Sequence, residues 1–403
     1  MDDRLSTIDQ IFLRTHQGLG TPIVMQGLWR TEEAVEQVLL MHLHDALRSG
    51  WLGRRVVRSP VPGARPYWQL NDAAYPMTYS QREIPPERVL AWADSQGANL
   101  NPLRGPGWRL SATRIQGGGT VVSLTCSHVL TDARGLLRAV EKALAGDTSP
   151  IRTEHVTDWT DARTTMATIA RETRFSARRP KAAAREGKVP TIAPARSAIL
   201  AVDANQWDDV AKSQDASANS LFVALSVNLL QAARPVTVSL PVDARRGDEP
   251  TNSITMTGTT VRAGENLADL KARITQGYSH PDGAAPGLPE QWLQLFPARL
   301  AYAATRDVGD RDVMCSNIGQ VPSALEHFGP HPASGFAARA IHPGLTRRHL
   351  RHTRNALSAY LCRFGDGYTL ALVATAARIT SNAQLRDLAT AELRKWGLRA
   401  ETW

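Results

Sequence analysis

Both halves of this 403-residue chain end in the same order of predicted elements: a hairpin, a loop and a helix. In the first half, apolar patterning predicts strands over 107–115 and 120–129, joined by a glycine-rich turn, and a helix over 133–144. In the second half, the same order runs over 357–396. Alternating strands and helices with hairpins inside each half favour mixed sheets covered by helices over a purely parallel sheet. The sequence therefore predicts an α/β fold with two similar lobes.

A change of composition separates the two predicted lobes. Residues 176–196 are rich in Ala, Arg, Lys and Pro and contain almost no large apolar side chain, which is typical of a linker. We therefore expect an N-terminal lobe over 1–175, a basic crossover over 176–196 and a C-terminal lobe over 197–403.

An amphipathic helix is predicted near the N-terminus. Thr31 is a suitable N-cap, and Glu32 and Glu33 would lie in the first turn, where the helix dipole favours acidic side chains. Apolar residues at helical spacing follow, and Gly50 ends the pattern.

Composition excludes several classes of protein. Lys and Arg outnumber Asp and Glu by 47 to 38, yet the basic segments lack the interleaved aromatic residues that stack on bases, so we expect no nucleic-acid partner. Cys126, Cys315 and Cys362 are too few for a disulfide framework, and His42 and His44 point to different sides of a helix, so no metal site is expected. No apolar run approaches the ~18 residues of a membrane helix. We expect a cytoplasmic monomer without membrane insertion.

The segment over 121–135 contains the candidate catalytic residues. Strand alternation places Cys126 and His128 on one face, and His128 ends this apolar row where the strand gives way to a helix. An imidazole held there, close to its reference pKa of about 6.5, can act as a general base. Asp132 can cap the helix or brace the loop that carries the histidine. The same spacing also fits a histidine at the edge of the core beside a capping aspartate.

The run Ser127-His128-Val129-Leu130-Thr131-Asp132-Ala133 resembles the His-His-x-x-x-Asp-Gly motif of the chloramphenicol-acetyltransferase-like superfamily. That superfamily includes peptide-synthetase condensation domains, polyketide-associated acyltransferases and wax ester synthases. Further segments follow in the family's order over essentially the whole chain: Trp68, residues 103–110, Pro241-Val242-Asp243-Ala244-Arg245, Ser316-Asn317-Ile318-Gly319 and residues 357–396. The resemblance implies two lobes arranged in a V, with a tunnel between them.

The resemblance also implies roles for individual residues. His128 would be the catalytic histidine at the midpoint of the tunnel, where it takes a proton from the acceptor's amine or hydroxyl group. Asp132 would point away from the tunnel and pair with an arginine. The Pro-x-x-x-Arg match nominates Arg245, with Arg246 as the alternative.

Two positions depart from the motif, since Ser127 replaces its first histidine and Ala133 its glycine. Alanine disfavours positive φ, so the turn must enter the helix in ordinary αR geometry. Ser316 and Asn317 are candidates for donors to the acyl oxygen or for the tunnel wall, although an Asx or Ser turn explains them equally well. Ser127 and Cys126 are further candidates for the wall. A cysteine nucleophile is disfavoured, because same-face neighbours on a strand lie side by side.

The activity implied by the resemblance is that of a stand-alone acyltransferase of specialised metabolism without a permanently bound cofactor. The donor would be a thioester of coenzyme A or of a carrier protein's phosphopantetheine arm, and the acceptor a small amine or alcohol. The basic segments over 171–196 and 347–354 are candidates to receive this anionic donor or an acidic carrier protein. Two alternatives stay open: a condensation-type enzyme that joins carrier-bound substrates into an amide, ester or ring, and a non-catalytic protein that kept the fold.

Overall fold

The computed structural model describes residues 2–19, 23–175, 192–245, 247, 251–279, 311–344 and 355–403. Arg246, the segment 347–354 and most of the predicted crossover lie outside these residues. The described strands are β1 (Val24–Thr31), β2 (Arg54–Val57), β3 (Tyr67–Leu70), β4 (Thr78–Ile84), β5 (Trp108–Ile115), β6 (Thr120–Ser127), β7 (Ile192–Asp203), β8 (Val236–Asp243), β9 (Ile254–Val261), β10 (Val313–Gln320), β11 (His327–Phe328), β12 (His331–Ile341), β13 (Leu357–Phe364), β14 (Gly367–Ala376) and β15 (Ala400–Thr402). The described helices are α1 (Thr7–Leu19), α2 (Gln37–Ser49), α3 (Val89–Ser95), α4 (Ala133–Leu144), α5 (Asp158–Phe175), α6 (Ala204–Ser213), α7 (Ala218–Asn228), α8 (Leu267–Ser279) and α9 (Asn382–Lys395).

Two large mixed sheets organise the molecule. The first has the order β11-β12-β1-β6-β5-β4, and the second has the order β15-β7-β14-β13-β10-β8-β9. Parallel pairing occurs between β4 and β5 and on both sides of β10, whereas the other pairs in these sheets are antiparallel. The predicted mixed α/β fold is therefore confirmed.

The predicted hairpin and helix of the first half form as expected. Strands β5 and β6 pair over residues 108–114 and 120–126, and the turn between them contains three glycines with positive φ, Gly117, Gly118 and Gly119. A Cβ on Gly119 would lie 2.0 Å from the Thr31 carbonyl oxygen, so only glycine fits this close approach. All eight residues of β6 are buried, and its neighbours β1 and β5 hold it at the centre of the first sheet.

The first sheet includes strands from both halves of the chain. Strand β12 pairs with β1 over eight residues, from Val24 opposite Ile341 to Thr31 opposite Ala333. The second sheet in turn contributes Ile199, Tyr360 and other side chains to the apolar core around the first sheet. The two sheets therefore pack against each other, and the C-terminal lobe expected over 197–403 supplies part of the first sheet.

One predicted boundary was wrong. The helix expected from Thr31 begins at Gln37, because residues 24–31 pair on both sides as strand β1. The crossover over 176–196 stays a prediction; at its C-terminal end, β7 begins at Ile192 and pairs with β14. Among the described helices, none has the length and apolar character to cross a bilayer.

Candidate active site

A cavity of about 100 Å³ lies between the two sheets. Its wall combines side chains from the end of β6 and the start of α4 with side chains from β8, β10, β12 and β13. The lining residues are Met25, His128, Asp132, Ala133, Arg134, Pro241, Asp243, Arg245, Ile254, Met314, Ser316, Asn317, Ile318, Ala340 and Tyr360. Within the described residues, no group of three or more histidine, cysteine or carboxylate side chains is placed to hold a metal ion.

His128 enters this cavity from the end of β6. Its backbone N–H donates to the Ile23 carbonyl at 2.8 Å, so the sheet hydrogen bonding continues one residue past the strand and holds the histidine backbone. Its half-buried imidazole stacks on the Phe12 ring, with centroids 3.7 Å apart and planes 14° apart. The backbone bond and the ring stacking together position the imidazole, as a general base requires.

Asn252 determines which nitrogen of His128 carries the proton. Its Oδ1 atom lies 3.1 Å from Nδ1 of His128, and its Nδ2 group donates to Asp9 Oδ1 at 2.7 Å and to the His128 carbonyl at 2.8 Å. Because the amide N–H groups are directed to these acceptors, Oδ1 is left to accept a proton from Nδ1 of His128. The neutral imidazole is then the Nδ1–H tautomer. Its Nε2 atom is then the unprotonated, basic nitrogen of the ring.

The surroundings of His128 favour the neutral ring. Burial lowers the pKa of His128 below 6.5, and the Asp132 charge opposes this shift. Behind Asn252, burial raises the pKa of the Asp9 carboxyl, which accepts from the Ser6 backbone N–H and interacts with the Arg54 charge. At neutral pH, Nε2 of His128 is therefore available to accept a proton.

Asp132 and Arg245 form a buried ion pair between the two halves of the chain. Nη2 of Arg245 lies 3.0 and 2.9 Å from the two carboxylate oxygens, and each side chain is only 6 % exposed. Asp132 also caps α4 by accepting from the Gly135 backbone N–H and accepts from the Ser253 N–H. Both residues contribute to the cavity wall, but each oxygen of the carboxylate is already paired. Asp132 is therefore held by contacts to both halves of the chain.

The helix after the motif starts without glycine. Asp132 is extended, with φ −84° and ψ −178°, and α4 begins at Ala133, which is not among the residues with positive φ. Alanine is therefore compatible with this helix start, as expected from its αR geometry.

The remaining candidates divide into two groups. Ser316 and Asn317 line the cavity, whereas Cys126 and Ser127 are fully buried within the first sheet and do not line it. The Ser316 hydroxyl makes no hydrogen bond within the described residues. The Asn317 side chain is engaged, because it accepts from the Gly319 N–H and donates to Asn219.

Sequence reasoning missed Asn252, Asp9 and Phe12 as neighbours of the histidine. Asn252 precedes β9, Asp9 and Phe12 lie on α1, and each is more than 100 residues away from His128 in the chain. A weak signal existed only at Asp9, where Ser6 and Asp9 have the spacing of a helix N-terminus.

Solved structures share this fold. The first condensation domain of the CDA synthetase superposes with a TM-score of 0.61 at 15 % identity, over 97 % of this chain and 96 % of that chain. The wax ester synthase/diacylglycerol acyltransferase from Marinobacter aquaeolei VT8 superposes with a TM-score of 0.60 at 15 % sequence identity, over 98 % of each chain. The condensation domain of the monacolin K polyketide synthase MokA superposes with a TM-score of 0.59 at 10 % sequence identity, over 98 % of this chain and 96 % of that chain. No family model matches the sequence, and no curated protein matches it either.

These similarities define the architecture of the chain. The condensation domains and the wax ester synthase are members of the chloramphenicol-acetyltransferase-like superfamily, and the chain has the fold that they share. The resemblance inferred from the sequence is thereby confirmed at the level of the fold. The run that resembles the family motif in the sequence carries one histidine, His128, preceded by Ser127.

Proposed function

We propose that this protein is an acyltransferase that moves an acyl group from a thioester to an amine or hydroxyl acceptor, with His128 as general base. The observation that carries the proposal is the position of His128, which lines a cavity between two sheets with its Nδ1 atom held by Asn252, in a fold shared with condensation domains and an acyltransferase.

The proposed reaction proceeds in two steps. Nε2 of His128 accepts the proton of the acceptor as its nitrogen or oxygen attacks the thioester carbonyl carbon, which forms the new C–N or C–O bond. The carbonyl oxygen gains negative charge, and the Ser316 hydroxyl is the candidate donor that stabilises it. The C–S bond then breaks, and the imidazolium returns the proton to the departing thiolate. Asn252 holds the Nδ1–H of the ring throughout.

The donor in this proposal is an acyl thioester of coenzyme A or of a carrier protein's phosphopantetheine arm, used as a cosubstrate. Both donors present the same thioester, so the cavity chemistry above applies to either. A panel of acyl-coenzyme A and acyl-carrier-protein donors with small amine and alcohol acceptors, followed by mass spectrometry of the products, distinguishes them.

His128→Ala tests the role of the base. General-base assistance contributes about 10²–10⁴ in rate, so turnover should fall by that factor while the circular dichroism spectrum and melting temperature stay close to those of the wild type. The exposed His42 offers a matched control, and His42→Ala should retain full turnover. Wild-type turnover in His128→Ala would exclude the proposed mechanism.

A condensation-type reaction between two carrier-bound substrates is the second candidate. Two of the three similar structures described above are condensation domains, which favours it. It differs from the first in the acceptor. Turnover with small free acceptors supports simple acyl transfer, whereas turnover that requires a carrier-bound acceptor supports condensation.

A further inference from the structure

A second histidine lies close to His128 in the first sheet. Strand β12 pairs with β1 so that Ile341 faces Val24, and β6 pairs with β1 so that Ser127 faces Val24. If both strand pairings are extended by one residue beyond Val24, His342 pairs with Ile23 on one side and His128 pairs with Ile23 on the other. The His128 N–H donates to the Ile23 carbonyl, which shows that this register continues past the end of β6.

The side chains of this row share the face of the sheet that borders the cavity. Residues alternate between faces along a strand, and directly paired residues lie on the same face. Met25 and Ala340 face each other two residues back along the strands, and both line the cavity. His342 and His128 therefore lie on this face, with their backbones separated by two strand spacings, about 10 Å.

The ring of His342 is neutral and incompletely hydrogen-bonded. Its Nδ1 atom is buried and has no hydrogen-bond partner among the described residues. Burial, together with the neighbouring His128, lowers the pKa of His342 to about 4, so the ring carries no charge at neutral pH. A buried polar atom without a partner is unfavourable, and it needs an explanation in a folded protein. A substrate group that hydrogen-bonds this ring provides one.

We propose that His342 binds the acceptor substrate through a second polar group and so positions its nucleophile at Nε2 of His128. This inference rests on the proposed function and specifies its substrate class. The favoured acceptors are bifunctional, with a hydroxyl or amine a few bonds away from the nucleophilic amine or hydroxyl. His342 is thus a positioning residue that selects such acceptors over monofunctional ones.

The test compares matched acceptors and three variants of the full chain. The acceptor pairs are 3-amino-1-propanol with propylamine and 1,3-propanediol with 1-propanol, each with the most active thioester donor. For His342→Ala we expect a KM for the bifunctional acceptors that is higher by about 3- to 10-fold, the loss of one neutral hydrogen bond. The kcat, the donor KM and the KM for monofunctional acceptors should change by less than twofold. His342→Asn, which retains a polar group near the Nδ1 position, should restore part of the affinity.

The exposed His327 supplies the control, and His327→Ala should behave as the wild type with every acceptor. Equal KM values for wild type and His342→Ala with both acceptors of a pair would overturn the proposal. An equal rise in KM for the bifunctional and the monofunctional acceptor of a pair would also overturn the proposal, because a purely structural role of His342 predicts that result.

A binding measurement separates this proposal from the proposed function. The imidazole ¹⁵N resonances of His342, assigned by comparison with His342→Asn, should shift when 3-amino-1-propanol is added to His128→Ala protein and should not shift with propylamine. This result supports the binding role even if no donor supports turnover. Absence of the shift in a protein that does transfer acyl groups refutes the role of His342 and leaves the proposed function intact.

Discussion

The Oδ1 atom of Asn252 lies 3.1 Å from Nδ1 of His128 and joins a loop before β9 to the end of β6. The same asparagine donates to Asp9 on α1, so three separate segments of the chain meet at one amide. Because the amide presents its oxygen to the imidazole, the tautomer of His128 is determined by residues far away in the sequence. The assignment of Nε2 as the unprotonated nitrogen of His128 depends on this contact.

Replacement of Asn252 tests the contact directly. Asn252→Ala removes the acceptor of the Nδ1 proton and leaves the Asp9 carboxylate without its amide donor, so we expect a kcat lower by about 10- to 100-fold, as is typical when an orienting partner of a functional histidine is lost. The pH dependence of kcat should shift as well, which a purely structural defect would not produce. Asn205, which is exposed on α6, serves as a control, and Asn205→Ala should leave both quantities unchanged. An unaltered pH profile in an Asn252→Ala enzyme would contradict the role assigned here.

The pH dependence of turnover reports the state of His128. Only the neutral ring accepts a proton, and burial lowers the pKa of His128 below 6.5. With an alcohol acceptor, which does not titrate in this range, activity should be maximal above pH 6.5 and fall as the pH decreases through the lowered pKa. The measurement is kcat/KM between pH 4.5 and 8.5. A half-maximal point at or above pH 6.5 would show that the ring is not desolvated as the structure indicates.

The ion pair between Asp132 and Arg245 should contribute strongly to the free energy of unfolding. Removing Arg245 leaves the Asp132 carboxylate buried without its ion-pair partner, and removing Asp132 takes the nearer carboxylate from the buried Arg245, which keeps the Asp243 carboxylate at 3.3 Å. Arg245→Ala and Asp132→Ala should therefore each lower the free energy of unfolding, by up to about 3–5 kcal/mol. Urea denaturation measures the change, and exposed Asp45→Ala, at a position that is mostly solvent-accessible, is the control. In the double variant the loss should be smaller than the sum of the two single losses, because the partners act on each other. Additive losses would mean that the two side chains stabilise the fold independently.

Cys126 should be dispensable for the chemistry. Burial raises the pKa of its thiol, so the thiolate needed for nucleophilic attack is not populated at neutral pH. Cys126→Ala should therefore keep turnover within about threefold of wild type, and mass spectrometry should find no acyl group on the wild-type protein during turnover. An acyl group on Cys126, or a loss of turnover in Cys126→Ala as large as that in His128→Ala, would contradict direct transfer and indicate a two-step covalent mechanism.

The sequence alone determined the elements that depend on near neighbours in the chain. The pairing of β5 with β6, the start of α4 at Ala133 and the capping by Asp132 were predictable, because a short turn, apolar periodicity and a cap are encoded within a few residues. The family resemblance added the nomination of Arg245, and the structure places that arginine against Asp132.

Only the tertiary structure decided the contacts between distant segments. Strand β12 joins β1 across more than 300 residues of sequence, and this pairing turns the predicted helix start at Thr31 into the end of a strand. Asn252 and His342 reach the neighbourhood of His128 by the same kind of long-range packing. Strand pairing and side-chain hydrogen bonds depend on which segments meet in space, and a single sequence carries no local pattern that specifies such a meeting.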